Sequence, residues 1–347
     1  MDRFALFQLP AVAISEVMKK FDLFEITMLL MCSKRTKKLV KTFRIPRDVL
    51  TIDIEFGAIN AVCLSDKRRN ELVYYYIDSS EKSTHEVVKI GDSIVPISID
   101  DNYEDFEYEE DDEYSKYSLN LYFKDKIEGL KTVTEYFCSY FEQEIYLFRI
   151  EGESFIENGI MTVMDWILER QKTINGFRIE DVNVNETLAN YVLDKLNSSS
   201  RVLMNMKVPD EFRANFKVDG EIDLSIHAAS WFTFENLLNI NCTDLNVENS
   251  QLTNADINSF LKHWMTNDLK FEHLRIQSED EFIFDVIFSG IPTFRNPQRT
   301  FKNRGKVYRT VYNGIEVKRN DGLKTATIEI DPTNQRAPFY MTVWDTL

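Results

Sequence analysis

Phe177–Leu196 reads FRIEDVNVNETLANYVLDKL, and Leu245–Trp264 reads LNVENSQLTNADINSFLKHW. The two stretches align without a gap. In both, alternating apolar residues predict a short strand, Asn or Asp residues predict a turn, and apolar residues three to four apart predict an amphipathic helix. The matching apolar positions are Phe177, Ile179, Val184, Val192 and Leu193 in the first copy and Leu245, Val247, Leu252, Phe260 and Leu261 in the second. The sequence therefore contains an internal strand–turn–helix repeat.

More elements of the same kind surround the two copies. Strands are predicted at 202–208, 222–226 and 271–276, and a helix is predicted at 231–239. Alternating strands and helices that stack into a curved solenoid are typical of an irregular leucine-rich repeat. We therefore expect irregular β-α repeats over 177–277.

The regions that flank the repeats have the pattern of antiparallel strands. Alternating apolar residues predict strands over 46–99, for example at Leu50, Ile52, Ile54 and Phe56, and further strands over 306–344. Asn313-Gly314 predicts a two-residue hairpin turn, and Asp321-Gly322 predicts a second turn. Residues 100–115 contain the run DDNYEDFEYEEDDEY, whose charge density predicts a solvated acidic loop.

The first part of the chain predicts three helices. Val12, Ile14, Val17, Met18 and Phe21 form an apolar stripe at helical spacing. Asp22 and Glu25 have the spacing of a capping box for a second helix, and Ser33 can cap a third, whose outer face is basic. The fold class predicted for the whole chain is thus α+β. It has an N-terminal three-helix module, followed by an α/β leucine-rich-repeat-like domain with flanking antiparallel strands.

Composition narrows the class of protein. With 347 residues the chain is too long for one compact core, so more than one unit is expected. The net charge of −16 argues against general binding to nucleic acid or to a membrane surface. The four cysteines lack metal-ligand or disulfide spacing, and neither a signal peptide nor a membrane span is predicted. We expect a soluble intracellular protein, cytoplasmic or nuclear or both.

No catalytic motif is present. Neither a P-loop, nor GxGxxG, nor GxSxG occurs, and the four histidines lack ligand-spaced partners, so no catalytic residue, cofactor or metal site is predicted. The segment 294–319 is locally basic and contains interleaved aromatic residues. Such a segment can bind nucleic acid, and it can equally pair with the acidic surface of the chain itself or hold an acidic partner.

The N-terminal residues carry a resemblance to a known family. Leu9-Pro10, Ile14, Glu16 and Val17, then Asp22–Ile26, then Cys32–Arg35, resemble an F-box, and CSKRTKKLV is similar to the end of the motif in nematode F-box proteins. Trp231–Ile276 resembles the core of their type 2 F-box-associated domain. The resemblance divides the chain into an F-box at 1–45 and an F-box-associated substrate-recognition domain at 46–347.

The resemblance implies a function without catalysis. An F-box docks on a Skp-type adaptor, which joins a cullin–RING ubiquitin ligase, and the second domain selects a protein substrate. The apolar face of the N-terminal helices is then expected to be buried in the adaptor rather than in its own chain. The alternative is an F-box/repeat scaffold that acts outside a ligase, as a protein-interaction module, antidote or inhibitor. The expected adaptor-binding residues are Leu9, Pro10, Ile14, Val17, Leu23, Ile26 and Leu29.

A candidate substrate surface follows from strand geometry. Alternate residues of a strand face opposite sides, so the neighbours of the apolar core positions must point outward. Stacked repeats would place them on one sheet face, which solenoids use for binding. The candidate substrate-binding residues are Arg178, Glu180, Asn246, Glu248, Arg275 and Gln277.

Overall fold

The computed structural model describes residues 9–42, 50–79, 86–99, 115–152, 157–303, 306–330 and 337–346. The chain divides into unit 1, Met1–Gln171, and unit 2, Lys172–Leu347. The helices of the F-box segment belong to unit 1, so the functional division predicted at 45/46 does not coincide with the boundary between the compact units. The predicted acidic loop, 100–115, lies outside the described residues except for its last position.

Unit 1 begins with three helices, α1 (Ala11–Met18), α2 (Leu23–Cys32) and α3 (Lys34–Thr42). The capping box predicted for α2 is confirmed, because the Glu25 amide donates to Asp22 Oδ1 at 2.7 Å and the Asp22 amide donates to Glu25 Oε2 at 3.0 Å. At the start of α3, the Thr36 amide donates to the Ser33 hydroxyl at 3.1 Å. Side chains thus satisfy the otherwise unpaired amides at the starts of both helices.

Among the described residues of unit 1, seven strands of a mixed sheet and two helices follow. The strands lie in the order β7-β1-β2-β3-β6-β5-β4, with β1 parallel to β7 and β3 parallel to β6. Leu50, Ile52, Ile54 and Phe56 are buried on one side of β1, as their alternation predicts. The elements are β1 (Leu50–Gly57), β2 (Ala61–Asp66), β3 (Glu71–Asp78), β4 (Val87–Ile90), β5 (Ser93–Ile99), β6 (Ser115–Tyr122), α4 (Lys126–Phe141), β7 (Ile145–Glu151) and α5 (Glu157–Arg170).

Unit 2 starts with five parallel strands, and three of the four connections between them contain an α-helix. The parallel strands lie in the order β8-β9-β11-β13-β14, and β10 and β12 form a separate two-stranded sheet. The elements are β8 (Ile174–Asn183), α6 (Glu186–Asp194), β9 (Ser199–Lys207), β10 (Val218–Asp219), β11 (Asp223–His227), α7 (Phe234–Leu238), β12 (Ile240–Asn241), β13 (Asp244–Ser250), α8 (Asn254–Thr266), β14 (His273–Ser278) and α9 (Phe284–Ile287).

The two aligned copies have the same backbone path. Asp181 and Asn249 correspond in the alignment, and both take a positive φ, 53° and 54°, near the end of their strands, β8 and β13. Asn185 and Thr253 also correspond, and each caps the helix that follows, α6 or α8. In each strand the residue with positive φ lies at a shift in register, a β-bulge, after which the pairing continues. Asp and Asn tolerate the left-handed conformation better than most residues. The internal repeat read from the sequence is therefore a structural repeat.

Four antiparallel strands complete unit 2. They are β15 (Phe294–Asn303), β16 (Lys306–Lys318), β17 (Lys324–Glu329) and β18 (Phe339–Asp345), and β18 pairs with β14. The prediction of a hairpin turn at Asn313-Gly314 is wrong, because both residues lie inside β16, where Gly314 pairs with Asn296. Asn313 has a φ of 57° within the strand, and a Cβ on Gly314 would lie 2.6 Å from Thr327 Cγ2. Close packing, rather than a turn, requires this glycine.

Candidate functional site

The buried side of the F-box helices packs within unit 1. Leu23 and Ile26 of α2 and Ile14 of α1 are buried in the chain itself, with Leu23 completely inaccessible. Polar contacts fix α2 to the sheet and to α4: the Tyr75 hydroxyl bonds to the Thr27 hydroxyl, and the Tyr136 hydroxyl donates to the Leu30 carbonyl at 2.7 Å. Three of the seven expected adaptor residues, Ile14, Leu23 and Ile26, therefore pack inside unit 1 in this conformation and are at most 7% exposed.

The remaining four expected adaptor residues are accessible. Pro10 is exposed, and Leu9, Val17 and Leu29 are half-buried. The structure adds Val12, which is 76% exposed although it belongs to the apolar stripe of α1. Successive residues turn by about 100° around a helix, so Val12 and Ile14 lie about 200° apart and on opposite sides. Dividing the apolar stripe into the two sides of the helix would have identified Val12 as an accessible residue from the sequence alone.

The outward side chains of unit 2 line up across the sheet. Strand register places Arg178, Leu203, Ser225, Asn246, Arg275 and Tyr340 in one continuous row over β8, β9, β11, β13, β14 and β18. Glu180 pairs with Asn205 and Asn205 with His227 in the next row. We call this surface, with Glu248 and Gln277, the ladder face. All six candidate substrate residues lie on it, and all six are half-buried.

Arg275 is the centre of the polar contacts on the ladder face. Its guanidinium donates to Asn246 Oδ1 at 2.8 Å and to the Tyr340 hydroxyl at 3.1 Å, and it also pairs with Glu248. Burial acts to raise the pKa of Glu248, but the hydrogen bond from Arg275 and the nearby His227 hold it below its ordinary value. These residues therefore form a hydrogen-bonded cluster at one end of the face.

The other part of the ladder face has side chains with few contacts. Arg178 Nη1 lies 4.0 Å from Glu180 Oε1, the limit of an ion pair. The side chains of Ser225 and Gln277 have no polar partner within the described parts of the chain. A ligand can hydrogen-bond to these groups without breaking existing contacts.

Several basic residues in the segment 294–319 are engaged within unit 2. The Arg299 guanidinium lies 3.6 Å from the centre of the Trp344 ring and pairs with Glu316 at 2.8 Å. Arg319 is buried and contacts Asp268 and Asp321, each at 2.7 Å. These contacts favour pairing with the chain's own acidic groups, one of the alternatives left open by the sequence. The side chains of Lys302, Arg304, Lys306 and Arg309 lie outside the described residues.

Among the described residues, no helix is long and apolar enough to cross a membrane. Within the same residues, no group of three or more His, Cys, Asp or Glu side chains is arranged to hold a metal ion.

Comparison with known proteins identifies two domains. A family model described as F-box domain matches residues 6–48, and one described as F-box associated matches residues 209–278. The chain therefore carries an F-box and an F-box associated domain, and the resemblance to nematode F-box proteins is confirmed. This combination points to a substrate-recognition subunit of an SCF-type ubiquitin ligase, a non-catalytic class of protein.

One relative extends over nearly the whole chain. Uncharacterized protein F59B2.9 of Caenorhabditis elegans is 23% identical over 355 aligned positions, which cover 98% of this chain and 79% of the relative. No solved structure matches the chain. The F-box associated match, 209–278, begins upstream of the stretch 231–276 that carried the resemblance in the sequence, and it includes β10 to β14.

Proposed function

We propose that this chain binds a Skp-type adaptor through its F-box and a target protein through unit 2, as the substrate receptor of a cullin–RING ubiquitin ligase. The observation that carries the proposal is the F-box match together with an exposed apolar surface on the matched helices. Receptors of this kind perform no chemistry. They raise the effective concentration of the target near the ubiquitin-carrying enzyme.

The adaptor surface proposed here is smaller than the sequence suggested. It consists of Leu9, Pro10, Val12, Val17 and Leu29, which we call the adaptor face. Ile14, Leu23 and Ile26 support it from inside unit 1. A fully exposed aliphatic side chain of this size contributes about 1.5–3 kcal/mol when a partner buries it. The half-buried Leu9, Val17 and Leu29 contribute less, because part of their surface is already covered.

The target surface proposed here is the ladder face of unit 2. The spacing of the strands supports a leucine-rich-repeat-like arrangement: Phe177, Val202, Leu224, Leu245 and Leu274 pair in one row and follow one another at intervals of 25, 22, 21 and 29 residues. Leucine-rich repeats have periods of about 20–29 residues. Solenoids of this kind bind partners on their strand face.

Recovery of bound proteins from cells tests the function. With the full chain as bait, the proposal predicts that the adaptor and a cullin are recovered together. Recovery of the adaptor without a cullin would instead support the scaffold that acts outside a ligase. Recovery of neither would contradict the proposal.

The ladder face can be tested without disturbing the Arg275 cluster. Arg178→Glu with Ser225→Arg should abolish recovery of target proteins while adaptor recovery stays unchanged. Both side chains have few contacts in the chain, and the variant reverses one charge and introduces another on the surface that meets the target. Lys172→Glu, an exposed change in the same unit, is the matched control and should have no effect. If the double variant recovers the same targets as the natural chain, recognition lies elsewhere.

A further inference from the structure

The corner between α1 and α2 is held by two charged residues from outside the F-box match. The guanidinium of Arg69 donates to the Phe21 carbonyl at 2.6 Å through Nη1 and to the Lys19 carbonyl at 3.2 Å through Nη2. Glu71 Oε2 accepts the amide of Leu23 at 2.8 Å. Arg69 and Glu71 themselves lie 3.7 Å apart, so one ion pair contacts both sides of the corner.

The signs of the two charges match the helix ends that they contact. The C-terminal end of a helix has unpaired carbonyl groups and a partial negative charge, whereas the N-terminal end has unpaired amides and a partial positive charge. Arg69 meets the carbonyls that follow α1, and Glu71 meets the first amide of α2. The pair therefore acts as a double cap supplied by a different part of the chain.

The two residues of the double cap are positioned by the turn between β2 and β3. Arg69 belongs to the turn between β2 and β3, and its amide donates to the Asp66 carbonyl at 3.3 Å. Asn70 takes a φ of 53°, a conformation that asparagine tolerates, and leads the chain into β3 at Glu71. Burial raises the pKa of Glu71 although the Leu23 amide and Arg69 act to lower it.

We propose that Arg69 and Glu71 are positioning residues for adaptor binding, which fix the direction of α1 relative to α2 and so keep the adaptor face in one arrangement. This inference rests on the proposed function, because it assigns a role to residues that support the same surface. Removing the cap leaves the corner free to move, and the adaptor must then order it on binding. Adaptor affinity thus depends on a turn outside the F-box match of 6–48.

Four variants of the full chain separate a double cap from a simple ion pair. Arg69→Met with Glu71→Met removes both caps and should weaken binding of a purified Skp-type adaptor at least about tenfold, equal to about 1.4 kcal/mol. Glu71→Gln keeps an acceptor for the Leu23 amide and should bind within about threefold of the natural chain. Arg201→Met with Asp223→Asn removes an exposed ion pair of unit 2 and should change nothing.

The charge-swapped variant is decisive. Arg69→Glu with Glu71→Arg keeps the two residues able to pair, but it puts a carboxylate against carbonyls and a guanidinium against an amide. The swap should bind no better than the double methionine variant. Recovery of natural affinity by the swap would overturn the proposal, because the pair would then act only as an ion pair. Unchanged affinity of the double methionine variant would overturn it as well.

Hydrogen exchange tests the cap without an adaptor. In the natural chain the Leu23 amide should be protected, and Arg69→Met with Glu71→Met should raise its exchange rate at least about tenfold, while amides in β13 remain unchanged. An unchanged Leu23 rate would overturn the inference. If the natural chain fails to bind the adaptor, the proposed function fails, and the exchange measurement still decides whether the corner is capped.

Discussion

Trp264→Ala is expected to lower the free energy of unfolding by about 3–5 kcal/mol. Trp264 lies on α8 and is completely buried, together with Ile257, Phe260 and Leu261 of the same helix. The substitution removes the indole from the core of unit 2 and leaves a cavity that the flanking β-α repeats cannot fill without moving. Urea unfolding followed by circular dichroism measures the change.

The neighbouring residue provides a control for this result. His263→Ala alters the same helix one position earlier, but the His263 side chain is half-buried and bonds to the exposed Asn267. His263→Ala should lower the free energy of unfolding by less than about 1 kcal/mol. If Trp264→Ala costs no more than His263→Ala, α8 does not form the core of unit 2 as described.

Asp53→Asn is expected to stabilise the chain at alkaline pH. Asp53 lies on β1 opposite Cys63 of β2, and its Oδ1 has no hydrogen-bond partner in the structure as described. Burial raises the pKa of Asp53 from 3.8 to about 7, although Arg149 acts to lower it, and Glu55 adds to the rise. The folded state therefore holds the Asp53 proton more tightly than the unfolded state does.

The sign of the pH dependence follows from the raised pKa. The stability that protonated Asp53 contributes is complete below pH 3.8 and is lost as the pH rises through about 7, by about 4 kcal/mol at most. The asparagine of the Asp53→Asn variant cannot ionise. The free energy of unfolding of this variant should therefore exceed that of the natural chain by about 2–4 kcal/mol at pH 9 and equal it near pH 4.

Unfolding curves at the two pH values check this expectation. Asp92→Asn, an exposed change in the turn between β4 and β5, should alter stability at neither pH. An Asp53→Asn effect of the same size at pH 4 and pH 9 would show that the carboxyl does not titrate differently on folding.

Local patterns in the sequence predicted the parts of the fold that depend on local contacts. The capping box can be recognised because Asp22 and Glu25 are three residues apart. The repeat that aligns Asp181 with Asn249 can be recognised because each copy is one continuous stretch of sequence. The outward positions of the ladder face followed from strand alternation in the same way.

The features that the sequence missed depend on distant contacts. The apolar face of α2 is covered by its own chain because Tyr75 and Tyr136, 48 and 106 residues from their partners, dock on it. An apolar helical stripe shows that a face is buried, but it does not show whether the chain or a partner buries it. The prediction of a turn at Asn313-Gly314 is wrong for a related reason, because the contact that requires the glycine is with Thr327 of the next strand.

Calorimetric titration of a purified Skp-type adaptor into the full chain measures whether the F-box binds the adaptor through α1. We expect one adaptor per chain and a loss of affinity of at least about a hundredfold for Val12→Asp with Val17→Asp, because burying two carboxylates is more unfavourable than burying two valines is favourable. Val87→Asp alters an exposed valine elsewhere in unit 1, 58% accessible, and should bind like the natural chain. Natural affinity in the Val12 and Val17 double variant would contradict the claim that α1 presents the adaptor face.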